Sequence, residues 1–217
     1  MITEILYQAK VFANENISKE RKLVFMYPYY FLVRERVAKN IFKNSFIQGD
    51  DIVEQITYQI VSYAYEKFFK FVYPYEYRLA KENSLLEGHT EKEQNQFFIQ
   101  SLSSKEEWIQ YCFDKYPKLG NMLESYTEGI LDYLNELLYS LDNDYKQLNS
   151  YFYLEESIAK EICILEGDLH NGKCVSSITF QNGVKLYYKP RGAANEKFLL
   201  DVISCLTSMG LTINMVV

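Results

Sequence analysis

Apolar residues recur at helical spacing through most of the first 155 residues. The longest example lies between residues 121 and 148, where apolar side chains are separated by three or four positions. This spacing predicts one long helix with a single apolar stripe. The members of the stripe are Leu123, Tyr126, Ile130, Leu134, Leu137, Leu141, Tyr145 and Leu148. The pattern predicts a mainly α-helical region over residues 1–155.

Local signals mark further helices before this one. Asp50 and Asp51 predict a helix N-terminus, because carboxylates are favoured at the positive end of the helix dipole, and Pro74 predicts the end of that helix. The stretch 84–97 is highly charged and contains few apolar residues. We therefore expect an exposed connection there.

A capping signal precedes the long helix. Ser103 and Ser104 are each followed, three residues later, by a glutamate. That spacing is typical of a capping box. In this motif the serine side chain accepts a hydrogen bond from the backbone N–H of the glutamate, and the glutamate side chain accepts one from the backbone N–H of the serine. Pro117 predicts the end of the segment that this box begins.

The periodicity changes from helical to alternating near residue 160. Runs rich in β-forming residues at 161–166, 175–180 and 184–188 predict three strands. Asn182 and Gly183 predict a tight turn between the second and third strands, because both residue types tolerate positive φ. The expected unit is antiparallel.

A helix and a further strand are expected after this unit. Asn195 predicts the N-cap of a helix from Glu196 to Met209, and residues 211–217 resemble a last strand. The residues expected to face inward on the helix are Phe198, Leu199, Val202, Ile203 and Leu206. The predicted fold class is α+β. A helical region over 1–155 precedes the start of a kinase-like N-lobe over 156–217, which comprises three antiparallel strands, a helix and a strand.

Composition narrows the classes of function. The chain has 217 residues, a net charge of −6 and a pI of about 5.1, which argues against a nucleic-acid-binding module with its usual basic face. Its four cysteines are widely spaced without a CxxC pair, so we expect free thiols rather than a zinc site or a disulfide framework. We see no signal peptide, and the longest apolar run, from Leu23 to Val33, is too short to span a membrane. These features predict a cytoplasmic protein.

The third predicted strand ends in Lys189, the place of the nucleotide-binding lysine in a kinase-like N-lobe. An acidic residue on the following helix usually pairs with that lysine, and Glu196 and Asp201 are the candidates here. Arg191 adds a second cation beyond Pro190, whose ring fixes the direction of the chain. The alternative interpretation of these cations is a solvated strand end.

The loop before the second predicted strand, residues 167–173, carries the other candidate residues. Gly167 and Gly172 lie where a kinase-like fold covers the nucleotide phosphates, although the GxGxxG and GxxxxGK[ST] patterns are absent. Asp168 and His170 are two residues apart, so that the carboxylate can hold the imidazole in one tautomer and raise its basicity. An ordinary polar turn with an exposed histidine is the alternative interpretation.

Two motifs together resemble the dehydratase domain of the class II lanthipeptide (lantibiotic) synthetases. They are the loop G-D-L-H-N-G-K at 167–173 and the strand end Y-K-P-R at 188–191. The segment F-D-K-Y-P at 113–117, followed by a long helix, is similar to the helical part of the same family. The resemblance covers most of the chain and is strongest over 160–217. It implies that the helical region is a cap on the kinase-like lobe.

This resemblance implies a dehydratase that uses ATP and Mg²⁺ to phosphorylate Ser and Thr in a ribosomal precursor peptide and then eliminates the phosphate. Zinc is implied only for a separate cyclase domain, whose ligands this sequence does not contain, and no metal ligand is predicted in the chain. The implied catalytic residues are Asp168 and His170. The implied cofactor-binding residues are Lys189, Gly167, Gly172, Lys173, Arg191 and Glu196.

Only 28 residues follow Lys189, and they contain no kinase-type catalytic Asp with a metal-binding Asn after it. We therefore expect an N-terminal fragment of such a synthetase that is inactive alone. Two alternatives stay open. One is a non-catalytic helical peptide-binding module with a decayed nucleotide lobe, and the other is a fragment of another kinase-like phosphotransferase.

Overall fold

Helices form the first part of the molecule, three strands follow them, and one further helix comes after the strands. The computed structural model describes residues 25–41, 46–47, 49–102, 104–154, 158–164, 173–190 and 194–210. The helices are α1 (Tyr27–Ile41), α2 (Asp50–Ala64), α3 (Val72–Glu82), α4 (Glu91–Ser101), α5 (Lys105–Gln110), α6 (Pro117–Phe152) and α7 (Ala194–Ser208). The strands are β1 (Ala159–Cys163), β2 (Ser176–Phe180) and β3 (Lys185–Tyr188). The predicted fold class is confirmed.

The long helix α6 contains the apolar stripe that the sequence predicts, and it has 36 residues. Pro117 occupies its first position, where the missing N–H would have no partner inside the helix. The helix ends before Tyr153, whose φ of 52° is left-handed. Most of the stripe is buried against the rest of the molecule. The predicted helix is confirmed and extends a few residues further at each end.

The helix that begins at Asp50 does not end at Pro74, so this part of the prediction is wrong. α2 passes into a π-helical turn at Tyr65–Phe69, and α3 then begins at Val72. Pro74 lies in the first turn of α3. Backbone N–H groups in a first turn have no intrahelical acceptor, so a proline costs no hydrogen bond there.

The charged stretch 84–97 is also only partly a connection. Residues 84–90 are mostly exposed, as expected, but α4 begins at Glu91. The Thr90 side chain accepts a hydrogen bond from Glu93 N at 3.2 Å, and the Glu93 carboxylate accepts one from Thr90 N at 2.9 Å. This capping box stabilises a helix start despite the charged composition.

A second capping box begins α5, as the sequence predicts. Ser104 Oγ accepts from Glu107 N at 3.0 Å, and Glu107 Oε2 accepts from Ser104 N at 3.3 Å. The other predicted pair begins at Ser103, which lies outside the described residues. A π-helical turn at Tyr111–Lys115 follows α5, and α6 begins directly beyond it.

Aromatic side chains form the centre of the helical core. Trp108 is almost completely buried, stacks on Tyr29 with ring centroids 5.6 Å apart and donates from Nε1 to the carbonyl of Phe25 at 2.9 Å. Phe69 packs beside it, with centroids 5.5 Å apart. A buried Trp is stable where its N–H finds a partner, so this contact ties α5 to the start of α1.

The sheet has the order β1-β2-β3, and both pairs of neighbours are antiparallel. Ile178 in the central strand pairs with Ile162 on one side and Leu186 on the other. The turn between β2 and β3 contains Gly183 with φ of 86°, and Gly183 N donates to the carbonyl of Phe180 at 2.9 Å. The predicted antiparallel unit and its turn are confirmed.

Helix α7 agrees with its predicted bounds to within two residues. The prediction that its apolar side chains face inward is wrong, because Phe198 is 70% exposed and Leu199 54%. Periodicity identifies an apolar face but not a surface that covers it, and no part of the described chain buries these two side chains. The predicted strand 211–217 lies outside the described residues.

None of the four cysteines forms a disulfide. In the part of the chain that the structure describes, no helix is both long enough and apolar enough to cross a membrane. Within the same residues, no three His, Cys, Asp or Glu side chains come together as a group that could hold a metal ion.

Candidate functional site

Lys173 and Lys189 are the predicted site residues whose side chains the structure describes. The others lie outside the described residues, and Glu196 is described only as backbone of α7. The predicted positions without a described side chain are Gly167, Asp168, His170, Gly172, Arg191 and Glu196. The described part of the site therefore consists of the two ends of the loop and the end of β3.

Lys189 directly follows β3 and is exposed. It forms no ion pair with any carboxylate among the described residues. The pairing with Asp201 that the sequence suggested is not present, and Asp201 lies exposed on α7. Pairing of Lys189 with Glu196 stays a prediction.

Lys173 has a carboxylate partner that the sequence did not reveal, Glu136 on α6. The ammonium group of Lys173 forms an ion pair with Oε2 of Glu136. The hydroxyl of Tyr188 donates to Oε1 of the same carboxylate at 3.3 Å. Hydrogen bonding from Lys173 is the main reason why the pKa of Glu136 lies below its usual range. One carboxylate thus connects the end of the loop to the last residue of β3.

Tyr133 lies on the same face of α6, three residues before Glu136, and is 1% exposed. Its hydroxyl donates to the carbonyl of Cys174 at 2.5 Å and lies 2.7 Å from Oγ of Ser176. Burial is the main cause that raises the pKa of Tyr133 to about 12, so the hydroxyl stays protonated and remains a donor. Tyr133 therefore fixes the beginning of β2 to the long helix.

The other end of the loop is fixed by Gln59 of α2. Its Nε2 donates to the carbonyl of Ile162 at 2.8 Å, and its Oε1 accepts from the N–H of Ile164 at 2.9 Å. These two bonds imitate a neighbouring strand along the outer edge of β1. The thiol of Cys174 lies 2.8 Å from the carbonyl of Ile164 and donates to it, so the two described ends of the loop are in contact.

The two lysines of the site differ in whether a carboxylate balances their charge. The positive charge of Lys173 is balanced by Glu136, whereas the ammonium group of Lys189 faces solvent without a described acidic partner. An exposed, uncompensated ammonium group at a strand end can contact a phosphate. A lysine already held by a carboxylate is better suited to holding the chain in place.

Three residues of the site were not predicted: Gln59, Tyr133 and Glu136. The available signal was weak. Gln59 is one of several polar residues in α2, and Tyr133 and Glu136 lie beside the predicted stripe of α6 with the i, i+3 spacing of one face. Their partners are distant in sequence, and pattern analysis does not identify such contacts.

Residues 116–217 match the model of a domain family described as a domain of unknown function, DUF4135. A segment of 128 residues is 30% identical to the lacticin 481/lactococcin biosynthesis protein LcnDR2 of Lactococcus lactis subsp. lactis. The predicted resemblance to the class II lanthipeptide synthetases is confirmed. The aligned segment covers 59% of this chain but 14% of the relative, so the chain spans a small part of that protein's length.

The region that matches the domain family includes most of the site. Residues 116–217 begin one residue before α6 and contain Tyr133, Glu136, Lys173 and Lys189. Gln59 lies outside this range. The long helix and the sheet that it contacts thus belong to one family domain, and the contacts between them lie inside it.

Proposed function

We propose that this chain forms the helical cap and the first part of the kinase-like N-lobe of a lanthipeptide synthetase dehydratase, and that it acts in lantibiotic biosynthesis. The observation that carries the proposal is the antiparallel sheet, in which Lys189 directly follows β3 and Lys173 precedes β2. Both lysines lie within the region that matches the family, and both belong to the motifs that resemble the dehydratase.

The proposed reaction takes place in two steps on a Ser or Thr of a ribosomal precursor peptide. In the first step the hydroxyl oxygen bonds to the γ-phosphorus of ATP, its proton passes to a base, and ADP leaves. In the second step a base removes the Cα proton, the electron pair forms the Cα=Cβ bond, and the Cβ–O bond breaks to release phosphate. The product is dehydroalanine or dehydrobutyrine.

The described residues support part of a site for ATP, which would supply the phosphoryl group when bound together with Mg²⁺, and no group of described residues would hold the Mg²⁺. In this proposal Lys189 contacts phosphate oxygens, since its ammonium group is exposed and has no described acidic partner. Gly167, Gly172, Arg191 and Glu196 complete the nucleotide contacts from positions outside the described side chains. Asp168 and His170 move the proton during elimination, because a carboxylate–imidazole pair accepts and returns protons near neutral pH.

Reconstitution with a precursor peptide tests this function. A synthetase that contains this chain is incubated with ATP, Mg²⁺ and its cognate precursor peptide, and the chain of 217 residues is assayed in parallel. We expect the synthetase to remove one water per modified Ser or Thr, as seen by mass spectrometry, with phosphopeptide as an intermediate. The chain alone is expected to be inactive, because it spans only a small part of the length of the biosynthesis protein that it matches. Absence of both phosphopeptide and dehydrated peptide with the synthetase would overturn the proposal.

A groove on the helical part favours a second candidate function, non-catalytic peptide binding. It has a volume of about 190 Å³ and lies between α1, α5 and α6. The lining includes Leu32, Ile109, Trp108, Arg36 and Glu124. This mixture of apolar and charged side chains is suited to a peptide segment that carries both kinds.

Binding of a fluorescently labelled precursor peptide to this chain tests the second function. Ile109, which is 36% exposed in the groove, is replaced in Ile109→Glu, and Leu85→Glu serves as the control at an exposed site outside the groove. Weaker binding of Ile109→Glu than of Leu85→Glu is expected if the groove binds the peptide. Equal affinities would exclude the groove.

A further inference from the structure

One carboxylate, that of Glu136, contacts two separate segments of the candidate site. Its Oε2 pairs with the ammonium group of Lys173, and its Oε1 accepts from the hydroxyl of Tyr188 at 3.3 Å. We infer that Glu136 is a positioning residue that sets the places of Lys173 and Tyr188, and through Tyr188 the place of Lys189. The inference rests on the proposed dehydratase function and adds a residue that acts on the reaction from the long helix.

The long helix provides a fixed point for this carboxylate. α6 packs its apolar stripe in the core, and Tyr133, one turn before Glu136, is bonded to Cys174 and Ser176 inside the molecule. These buried contacts fix the helix relative to the start of β2. Glu136 is therefore held in place by its own helix, and the partially exposed side chain of Lys173 adjusts to it.

The register of the sheet extends this constraint to Lys189. Ser176 pairs with Tyr188 at the end of the β2–β3 ladder, and the described ladder does not include Lys189. The place of Lys189 therefore depends on how Tyr188 is held. Tyr188 is held twice, by its backbone pairing with β2 and by the hydroxyl contact to Glu136. Loss of the hydroxyl contact would remove the hydrogen bond that connects the Tyr188 side chain to α6.

The expected sizes of two effects indicate that Glu136 matters more for the reaction rate than for the free energy of folding. The side chains of Glu136 and Lys173 are 40% and 39% exposed. Ion pairs with this exposure contribute little to the free energy of folding, because water and salt screen them and ordering both side chains costs entropy. A reacting group that is displaced by about 1 Å lowers a rate by about 100-fold. The same contact thus matters little for folding and much for the position of a phosphate-binding lysine.

Three variants of a synthetase that contains this chain test the inference. Glu136→Gln keeps the shape and removes the charge, Glu136→Asp keeps the charge on a shorter side chain, and Glu128→Gln is the matched control. Glu128 lies two turns earlier on the same helix and forms an exposed ion pair with Arg36 at 2.6 Å, away from the sheet. The assay follows phosphopeptide and dehydrated peptide by mass spectrometry, with the KM for ATP measured separately.

Glu136→Gln is expected to lower kcat for dehydration about tenfold or more while the KM for ATP changes less, because a misplaced lysine loses contacts mainly in the transition state. Glu136→Asp is expected to keep more activity than Glu136→Gln, since the flexible Lys173 can follow a carboxylate that is one methylene shorter. Glu128→Gln is expected to match the wild type. Equal rates for Glu136→Gln and Glu128→Gln would overturn the inference.

Hydrogen exchange separates positioning from general stability. In Glu136→Gln, faster amide exchange is expected in peptides that cover residues 173–176 and 185–188, with α6 unchanged. Faster exchange throughout α6, together with a lower Tm, would show a merely structural role and overturn the inference. If the wild-type synthetase neither phosphorylates nor dehydrates the peptide, the proposed function fails. The exchange experiment still decides whether Glu136 holds the two segments, because it needs no substrate.

Discussion

The hydroxyl of Tyr133 lies 2.7 Å from Oγ of Ser176, and both side chains are almost fully buried. The same hydroxyl donates to the carbonyl of Cys174. Helix α6 and strand β2 therefore meet through polar groups inside the core rather than through apolar contacts alone. A buried polar group without a partner is costly, so this cluster specifies how the helix and the sheet are placed.

Replacement of this tyrosine tests the contact. Tyr133→Phe keeps the ring but removes the hydrogen bonds of its hydroxyl to the Cys174 carbonyl and the Ser176 hydroxyl. We expect the free energy of unfolding to fall by about 1–3 kcal/mol. Tyr139→Phe is the control on the same helix, because Tyr139 is 70% exposed, and its effect should stay within about 0.5 kcal/mol. Denaturant titration followed by circular dichroism measures both, and equal stability of the two variants would contradict the role of the hydroxyl.

Replacement by alanine is expected to change the stability of the protein in opposite directions at two glycines of α6. A Cβ at Gly120 would lie 2.7 Å from Cδ1 of Phe113 and 3.0 Å from the carbonyl oxygen of Cys112, whereas a Cβ at Gly129 would meet nothing within 4 Å. Gly120→Ala should therefore destabilise the protein by about 1–3 kcal/mol through overpacking. Gly129→Ala should stabilise it by about 0.5–1 kcal/mol, because alanine is the better helix former. Thermal unfolding of both variants is the measurement, and shifts of the same sign would contradict the packing at Gly120.

Predictions from the sequence were correct where neighbouring residues alone decide the conformation of the backbone. The stripe of α6, the box at Ser104 and the turn at Gly183 are all local patterns, and all three are present. The charge of residues 84–97 favours a connection, whereas the capping spacing of Thr90 and Glu93 favours a helix start, and the structure has the helix.

Contacts between distant parts of the chain were not predictable in this way. Glu136 and Lys173 are 37 residues apart, and their pairing depends on how α6 lies against the sheet. The wrong orientation predicted for α7 has the same origin, since Phe198 and Leu199 form an apolar face that the described chain does not bury. Residue patterns define the faces of an element, and tertiary packing decides what each face contacts.

Lys189 should be required for the first chemical step. In a synthetase that contains this chain, Lys189→Ala removes a positive charge from a transferring phosphate, so the loss of transition-state stabilisation should be on the order of 2–4 kcal/mol, about 30-fold to 900-fold in rate. Neither phosphopeptide nor dehydrated peptide should accumulate. Lys185→Ala is the control, because Lys185 lies at the start of β3, four residues before Lys189, with its ammonium group over the ring of Tyr187. Normal dehydration by Lys189→Ala would refute the proposed contact.

Asp168 and His170 should be required for the second step instead. A carboxylate and an imidazole two residues apart can transfer a proton, whereas a lysine that contacts phosphate supplies only charge. Asp168→Ala and His170→Ala are therefore expected to let phosphopeptide accumulate while dehydrated peptide falls, which is the opposite of the result for Lys189→Ala. Synthetic phosphopeptide provides the control for the first step, because both loop variants should fail to convert it, whereas Lys189→Ala should retain more of this conversion. If the loop variants yield neither phosphopeptide nor product from unmodified peptide and ATP, the loop acts in nucleotide binding. The division of the two steps between the loop and the strand end would then be wrong.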